Sequence, residues 1–444
     1  MRPLIDSLFA LEARRTTPAR ELRGALTTFL TMAYILFANP GILASAGVPF
    51  QSAVAATAVA AAICSIAMGL VANMPLALAP GMGLNAVVAF QLVGATGSWQ
   101  AAMGLIVVEG LAVFALVMAG VREAVMDAMP IDLRRAIGAG IGLFIAFIGA
   151  VNARIVIVPA GTVTALLHDP SLALPPVAAG SLRQPDALLA LGGLVLIAAL
   201  VARRQPGAIL IGILATTMAA LATGQAHLPA GAWWGIPHLT AAGQADLGAA
   251  LHWSAVPLVL SLMLVDFFDT IGTATAIAEE AGLHDAAGRI PRLKALLAVD
   301  ALSASVGGWL GVSSVTSYVE SAAGVADGAR TGLHSVAVGL LFAAAAFLAP
   351  VAAIVPASAT APALIAVGFL MCGALTRIDF TNLETAFPAF VIVLVVPLTY
   401  SIAHGIGFGV LTYVAMAVVG GRARQVHPLM YGVAAAFGSY FLLV

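Results

Sequence analysis

Apolar segments follow one another along almost the whole chain, with short polar gaps between them. A helix needs about 20 apolar residues to cross a bilayer, and most of these segments approach or reach that length. Only 9% of the residues are charged, whereas a soluble domain has about 25%. We therefore predict an all-α polytopic membrane protein with about 14 transmembrane segments. The predicted segments are 25–45, 52–72, 75–93, 101–120, 136–158, 187–202, 207–224, 254–278, 295–311, 313–327, 332–349, 359–375, 386–402 and 404–420.

The distribution of Lys and Arg predicts how these segments are oriented. If the N-terminus is cytoplasmic, every Lys and Arg except Arg154 and Arg183 falls on the cytoplasmic side. Because cytoplasmic loops carry an excess of basic residues, we predict a multi-pass protein of the cell inner (cytoplasmic) membrane. Residues 1–24 form its cytoplasmic N-terminal segment. A short apolar C-terminal tail, 429–444, either lies at the membrane interface or extends the last helix.

The two halves of the chain resemble each other weakly. GLVANMPLALAPGMGLNA (69–86) aligns with GWLGVSSVTSYVESAAGVA (308–326) at an offset of about 239 residues. Seven segments per half is an odd number, so the second half starts on the opposite side of the membrane. We therefore predict a 7+7 inverted repeat, an arrangement that secondary transporters use.

The third and tenth segments occupy corresponding positions, and both are interrupted. Pro75 and Pro80 remove backbone donors from the third segment, so a short extended stretch is predicted before a half-helix that starts near Gly81. The tenth segment is rich in Ser, Thr and Val up to Tyr318 and favours a helix from Glu320. Interrupted helices at matching positions of two halves indicate a binding site at the bilayer midplane.

Acidic side chains lie within several apolar segments. Asp266 and Asp269 are three residues apart in the run 256–278, so both lie on one helix face. A charged Asp at the centre of a membrane helix costs about 2.5–3.5 kcal/mol, which favours a functional role, although each could instead cap or hydrogen-bond a neighbouring helix. Glu109 and Asp300 are either helix–helix hydrogen-bonding groups or parts of a proton path.

The half-helix starts offer groups suited to a ligand. Glu320 lies at one such start, where the helix dipole favours its charged form, and Asn85 lies about one turn into the other half-helix. Together they suit a planar, neutral heterocycle better than a sugar or an ion, although both could be simple caps. Backbone N–H groups near Gly81 and Ser321 are expected to meet ring acceptors. Aromatic side chains that could stack on the ring, or simply pack in the core, are Phe90, Phe267, Phe268 and Tyr318.

Other functional classes are disfavoured. The two cysteines, Cys64 and Cys372, lie inside apolar segments, so we predict neither a disulfide framework nor a metal site, and no cofactor. The net charge of −1 argues against a nucleic-acid partner. An intramembrane aspartyl protease would need aspartates from two separate helices, and paired acids at broken helices form a binding site rather than a passive channel.

Several long stretches resemble the AzgA-like adenine/guanine/hypoxanthine permeases of the nucleobase–cation symporter family. They are TTFLTMAYILFANPGIL (27–43), ALAPGMGLNA (77–86), AIGAGIGLFIAFIGAVNARI (136–155), VDFFDTIGT (265–273), TSYVESAAGVADGARTGL (316–333), PASATAPALIAVGFLM (356–371) and FPAFVIVLVVPLTYSIAHGIGFG (387–409). The resemblance implies the fold of the uracil permease, with a core domain (25–120 and 254–352) and a gate domain (121–253 and 353–428). It also places the substrate site at Asn85, Asp266 and Glu320, with Asp269 as a second essential acid. His404 departs from the family pattern, where many relatives have an acid.

These observations together predict a secondary active transporter that imports purine nucleobases with a symported proton, by an elevator-like movement. Asp269, Asp266 and Glu320 are the candidates for proton coupling, because burial and a like-charged neighbour both favour a bound proton. Sodium coupling stays open as an alternative, as does a SulP-like anion transporter on the same fold. The expected partners are a purine nucleobase, a proton and the lipid bilayer, and the sequence leaves a homodimer open.

Overall fold

The computed structural model describes residues 8–120, 128–169, 177–228, 233–252, 255–283 and 290–443, together with Asp6. Arg2, Arg122 and Arg289, three of the residues predicted to be cytoplasmic, lie outside the described residues. The described chain is mostly helical. Its α-helices are α1 (Pro18–Met32), α2 (Ile35–Ser45), α3 (Phe50–Ala67), α4 (Met82–Ala86), α5 (Val93–Thr96), α6 (Trp99–Met118), α7 (Ile131–Asn152), α8 (Ala160–His168), α9 (Pro185–Ala202), α10 (Ala208–Ala222), α11 (Val256–Ala281), α12 (Leu293–Leu310), α13 (Ser321–Ala326), α14 (Gly332–Ala345), α15 (Ala349–Ala352), α16 (Ala357–Cys372), α17 (Leu383–Thr399), α18 (Ile402–Val419) and α19 (Pro428–Leu443).

The remaining regular elements are short. Helices α3 and α4 each continue into a π-helical segment, Met68–Ala72 and Val87–Leu92 respectively. The strands of the described part are β1 (Leu78–Pro80), β2 (Val156–Ile157), β3 (Ala178–Ala179) and β4 (Val315–Ser317). They form two antiparallel pairs, β1 with β4 and β2 with β3. The 3₁₀ turns are Leu247–Leu251, Ala346–Leu348, Gly373–Arg377 and Ala423–Gln425.

Many of these helices have the dimensions of membrane-crossing segments. Within the described residues, nine helical stretches are long and apolar enough to cross a membrane, and three shorter apolar stretches accompany them. Each of the fourteen segments predicted from the sequence contains an observed helix. The prediction of a mostly helical, multi-pass membrane protein is therefore confirmed.

The first and last elements differ in detail from the predicted bounds. Helix α1 begins at Pro18 and not at 25, because the Thr17 hydroxyl caps it by accepting from the Arg20 N–H (3.4 Å) and proline suits the first helical turn. The C-terminal tail forms the separate helix α19 after a 3₁₀ turn, so it does not extend α18. It folds back on α18, where the rings of Phe441 and Phe408 stack at 4.7 Å.

Glycines allow the central helices to pack closely. A Cβ atom on Gly308 of α12 would lie 2.9 Å from the carbonyl oxygen of Met103 in α6, and one on Gly339 of α14 would lie 2.7 Å from that of Ala62 in α3. Small residues at helix contacts allow backbones to approach in this way, as is common in membrane proteins. Helix α12 is thereby held against α6, and α14 against α3.

Basic residues predicted to be cytoplasmic meet at one end of the bundle. The Arg14 guanidinium donates to the carbonyl oxygens of Asn73 (2.6 Å) and Arg330 (2.8 Å). Arg292 donates to the carbonyl oxygen of Val71 (3.5 Å), two residues before Asn73. Helix-end carbonyls are partially negative, so cations stabilise them. These hydrogen bonds join the residues that precede α1 and α14 to the segment that follows α3.

Candidate functional site

The two half-helices begin beside each other because the strands that precede them are paired. Strands β1 and β4 run antiparallel, with Leu78 opposite Ser317 and Pro80 opposite Val315. Gly81 is the N-cap of α4 and Glu320 is the N-cap of α13. The predicted extended stretches and half-helices are thus present, and their starts lie together beside a pair of buried strands.

Gly81 and Ser321 hold this crossing together. A Cβ atom at Gly81 would lie 2.8 Å from Cγ2 of Thr316, so the position requires glycine. The Gly81 N–H donates to the Ser314 carbonyl (2.9 Å), and the Ser321 N–H donates to the Tyr318 carbonyl (3.2 Å). The Ser321 hydroxyl also accepts from the Ala77 N–H (3.0 Å). Both N–H groups already donate within the protein, so a direct contact of either residue with substrate stays a prediction.

Glu320 is half-buried, and its carboxylate is held by a residue that the sequence analysis did not identify. The Tyr34 hydroxyl donates to Oε1 of Glu320 at 2.8 Å. Tyr34 lies at the interruption between α1 and α2, and its side chain is only 1% exposed. The sequence contained one signal for this role of Tyr34, namely a phenol within an apolar run. A buried hydroxyl needs a hydrogen-bond partner, so such a residue is expected to contact another polar group.

The two aspartates of α11 have different surroundings, although they share one face of the helix. Asp266 is completely buried, so it does not face the acyl chains. Asp269 is accessible, and its carboxyl group lies close enough to those of Glu320 and Asp300 to interact electrostatically. The structure therefore places Asp269 within electrostatic range of Asp300 and Glu320, while Asp266 lies one turn earlier inside the protein.

Asp300 connects three elements around the site. It accepts hydrogen bonds from the N–H (3.1 Å) and hydroxyl (2.8 Å) of Ser317 in β4, and from the Thr270 hydroxyl (2.5 Å) in α11. The Thr270 hydroxyl is also 3.0 Å from that of Thr316. Of the two roles that the sequence allowed for Asp300, the hydrogen-bonding one accounts for these contacts. Glu109 is completely buried in α6.

Asn85 lies in α4 and is completely buried. Its amide nitrogen is 3.9 Å from the Met82 sulfur, a weak contact, and its Oδ1 atom has no hydrogen-bond partner in the described part of the chain. An unsatisfied buried acceptor costs about 1–3 kcal/mol, so its presence needs a physical explanation. Asn85 can therefore accept a hydrogen bond from a ligand without giving up a bond within the protein.

Two of the aromatic residues proposed to stack on a ligand have other contacts. The Phe90 ring packs edge-on against Tyr400, with centroids 5.8 Å apart. The Tyr318 hydroxyl donates to the Pro80 carbonyl at 2.6 Å and stabilises the crossing of the strands. The side chains of Phe267 and Phe268 lie outside the part of the structure that is described.

A cleft of about 150 Å³ lies between helices of the predicted core and gate domains. Helices α2 and α3 line one side of the cleft. Helices α7 and α16 line the other, together with Val355, two residues before α16. Asn85, Asp266, Asp269 and Glu320 are not among the described residues that line it. The residues that line it are Phe37, Ala38, Gly41, Ile42, Phe50, Asn152, Val355, Ala357, Thr360 and Leu364.

Comparison with known proteins identifies the family. The model of the Xan_ur_permease family, described as a permease family, matches residues 19–408. The chain belongs to this permease family. The permease is 39% identical to the adenine permease AdeQ of Escherichia coli (strain K12), over 99% of this chain and 96% of that one. It is 40% identical to the guanine/hypoxanthine permease PbuG of Bacillus subtilis (strain 168), over 99% of this chain and 100% of that one.

These relatives confirm the resemblance to purine permeases drawn from the sequence, and like them the permease is a transporter and not an enzyme. Among solved structures, it is similar to the transmembrane domain of a cyanobacterium bicarbonate transporter, BicA, with a TM-score of 0.63. The two are 17% identical, and the match covers 87% of this chain and 96% of that one. This similarity shows a shared transporter fold.

Proposed function

We propose that this permease imports purine nucleobases, namely adenine, guanine and/or hypoxanthine, together with a symported proton. The observation that supports this most strongly is the accessible pair of acids, Asp269 and Glu320, at the paired starts of the half-helices, with the unsatisfied amide of Asn85 on the neighbouring half-helix. The names of the relatives supply the substrate class: AdeQ is an adenine permease, and PbuG is a guanine/hypoxanthine permease.

The chemistry of these side chains fits a neutral purine. Carboxylates accept hydrogen bonds from ring N–H groups and exocyclic amines, and an amide both donates and accepts. Neither Lys nor Arg occurs in α11, in β1 and α4, or in β4 and α13. Without a fixed cation these elements are poorly suited to an anionic substrate. We assign substrate contacts to Glu320, Asn85 and the acids of α11, with Asp269 the more accessible of the two.

The pair of acids also suits proton coupling. Asp269 and Glu320 repel each other when both are ionised, and one bound proton removes that repulsion. We assign the symported proton to this pair, with Asp266 as a third acid one turn away. Loading of the substrate and the proton at the same group of side chains would couple their movements, because the proton changes the charge and hydrogen bonding that the purine meets, and the neutral purine changes the hydrogen bonding and solvation of the acids that hold the proton.

We also propose that the fourteen predicted segments form a 7+7 inverted repeat, and the packing of two glycines supports this. Gly69 and Gly308 occupy equivalent positions at the offset of about 239 residues, and each lies at a close helix contact, Gly69 with Val336 of α14 and Gly308 with Val107 of α6. In such a repeat α3 corresponds to α12 and α6 corresponds to α14. The contact between α3 and α14 is then equivalent to the contact between α12 and α6. The paired strands β1 and β4 would then lie near the axis that relates the two halves.

The domains of the proposed mechanism are a core of 25–120 and 254–352 and a gate of 121–253 and 353–428, with the cytoplasmic segment 1–24 and the tail 429–444 outside them. The close contacts of α3 with α14 and of α6 with α12 lie within the core, as expected if it moves as one body. The cleft between α2 and α16 lies on the boundary where an elevator-like movement would occur. We propose the inner membrane, a cytoplasmic N-terminus and, as a further possibility, a homodimer.

An uptake competition panel tests the substrate. The purified permease is reconstituted into proteoliposomes, and uptake of radiolabelled adenine and hypoxanthine is measured against an excess of adenine, guanine, hypoxanthine, xanthine, uracil, sulfate or bicarbonate. We expect the purines to compete and the anions to have no effect. Glu320→Gln should abolish uptake, whereas Glu279→Gln, which changes an exposed acid near the end of α11, should leave it intact. Competition by the anions, or full uptake by Glu320→Gln, would contradict the proposal.

A SulP-like anion transporter is the second candidate, and the fold shared with BicA favours it. An identity of 17% limits that similarity to the fold, whereas the purine permeases are 39–40% identical along nearly the entire chain. Function resides in the site rather than in the fold, and the acids at the half-helix starts argue for the neutral base.

A further inference from the structure

We propose that Tyr34 is a positioning residue of the substrate site, which fixes the Glu320 carboxylate in the orientation that receives the purine. The inference rests on the proposed function and extends it to a residue of α1–α2. Its basis is one buried contact, in which the Tyr34 hydroxyl donates to Oε1 of Glu320 at 2.8 Å. Hydrogen bonds to an ionised group are about twice as strong as those between neutral groups, so this one restrains the side chain of Glu320 effectively.

The position of Tyr34 is itself fixed by the fold. Tyr34 is the N-cap of α2, and its side chain is only 1% exposed, so its ring has little freedom to move. Five residues further on, the Asn39 amide donates to the Thr57 hydroxyl of α3 (2.8 Å) and to the carbonyl oxygen of Val312, just before β4 (3.4 Å). Helix α2 is thereby anchored to α3 and to the residues that lead into β4. A donor held this firmly can orient a flexible acid.

The contact also determines which part of the carboxylate a ligand meets. Oε1 is engaged by the phenol, and the backbone N–H of Glu320 also interacts with the carboxylate, so we assign the purine N–H to the other oxygen, Oε2. Glu320 is half-buried, so part of its side chain stays accessible, and its carboxyl group interacts electrostatically with that of the accessible Asp269. Loss of the Tyr34 hydroxyl would let the carboxylate rotate among several rotamers, and the substrate would have to restrict that motion when it binds.

A double-mutant cycle between Tyr34→Phe and Glu320→Asp tests this proposal. The shorter acid is expected to lose the contact with Tyr34 but to keep enough transport for measurement. We expect Tyr34→Phe to raise the KM for purine about tenfold while the maximal rate per folded transporter changes less than about twofold. In the Glu320→Asp background, the same change should alter the KM less than about twofold, because the interaction is already broken.

Tyr431→Phe is the matched control, since it removes a hydroxyl that donates to the Ala423 carbonyl (2.8 Å) far along the chain in α19, and it should leave the KM unchanged. Tyr34→Met is the second variant should Tyr34→Phe not fold, and the same rise in KM is expected from it. If Tyr34→Phe raises the KM by the same factor in the Glu320→Asp background as in the unmodified protein, the proposal is overturned. It is also overturned if Tyr34→Phe lowers the maximal rate and leaves the KM unchanged. Failure of the proposed function would appear instead in the unmodified protein, as a lack of purine uptake.

Discussion

Asp300 accepts two hydrogen bonds from Ser317, one from its backbone N–H at 3.1 Å and one from its hydroxyl at 2.8 Å. Ser317 is the last residue of β4, three positions before Glu320. The same carboxylate accepts from Thr270, the residue that follows Asp269 in α11. One buried acid in α12 therefore fixes the spacing between the two elements that supply the accessible acids of the site.

Replacing Asp300 by Ala should destabilise the permease. The Ser317 N–H and the hydroxyls of Ser317 and Thr270 would lose a buried charged acceptor, and we expect a loss of about 3 kcal/mol in the free energy of unfolding. Thermal unfolding of the purified protein in detergent measures the change. Asp186→Ala, in the exposed first turn of α9, is the control and should cost less than about 1 kcal/mol. Equal stability of the two variants would contradict this account of Asp300.

Local sequence chemistry was sufficient to predict the interrupted segments. Pro80 and the run of Ser, Thr and Val before Tyr318 locally disfavour a helix, so the strands before Gly81 and Glu320 could be predicted. Contacts between residues far apart in the sequence could not be predicted in this way. Tyr34 and Glu320 are 286 residues apart, and neither residue type specifies the other.

The helical period likewise gave only part of the environment of Asp266 and Asp269. A spacing of three residues places both on one face of α11, as predicted. The helical period does not determine which neighbouring helix or strand packs against each turn of that face, so it does not predict the burial of each aspartate. In the folded protein Asp266 is completely buried, and Asp269 is accessible beside Glu320.

Gly81→Ala should disturb the crossing of β1 and β4 through a steric clash alone. The φ angle of Gly81 is −68°, which any residue adopts, but the new Cβ would lie 2.8 Å from Cγ2 of Thr316. We expect a cost of about 1–3 kcal/mol and reduced uptake. Thr316→Ser removes that methyl group and keeps the hydroxyl beside Thr270, so it should rescue Gly81→Ala. Thermal unfolding and purine uptake of the single and double variants measure this, and a failure of the rescue would argue against the clash.

Asn85→Leu should lower purine transport without lowering the stability of the permease. The Asn85 Oδ1 atom is buried without a partner in the described part of the chain, so an apolar side chain of similar size should stabilise the fold by about 1 kcal/mol. Purine kcat/KM should nevertheless fall at least about 100-fold, because a hydrogen bond to the substrate is lost.

Asn39→Leu is the matched comparison for Asn85→Leu. The Oδ1 atom of Asn39 also has no partner in the described part of the chain, but its amide nitrogen donates to Thr57 and to the Val312 carbonyl, so the same substitution should there destabilise the protein by about 2 kcal/mol. Thermal unfolding and uptake are measured on both variants. If Asn85→Leu destabilises as much as Asn39→Leu, or leaves uptake intact, the assignment of Asn85 to the substrate is wrong.

Gly41→Phe should fill the cleft between the proposed core and gate. A Cβ atom at Gly41 meets nothing within 4 Å, so the larger side chain enters open space and does not strain the helix by contact. If the core moves along this boundary, the maximal uptake rate should fall at least about tenfold, while the melting temperature stays near that of the unmodified protein. Gly192→Phe, at another open position in α9, should transport normally. Normal uptake by Gly41→Phe would indicate that the cleft does not change during transport.

Purine uptake into proteoliposomes under an imposed proton gradient tests the central proposal most directly. The permease is reconstituted without sodium, and accumulation of radiolabelled adenine or hypoxanthine is followed with the interior alkaline, at equal pH, and after addition of a protonophore. We predict accumulation that requires the pH gradient, collapses with the protonophore and does not depend on sodium. Accumulation that ignores the pH gradient but requires sodium would contradict proton coupling, and the absence of purine uptake under any gradient would contradict the proposed function itself.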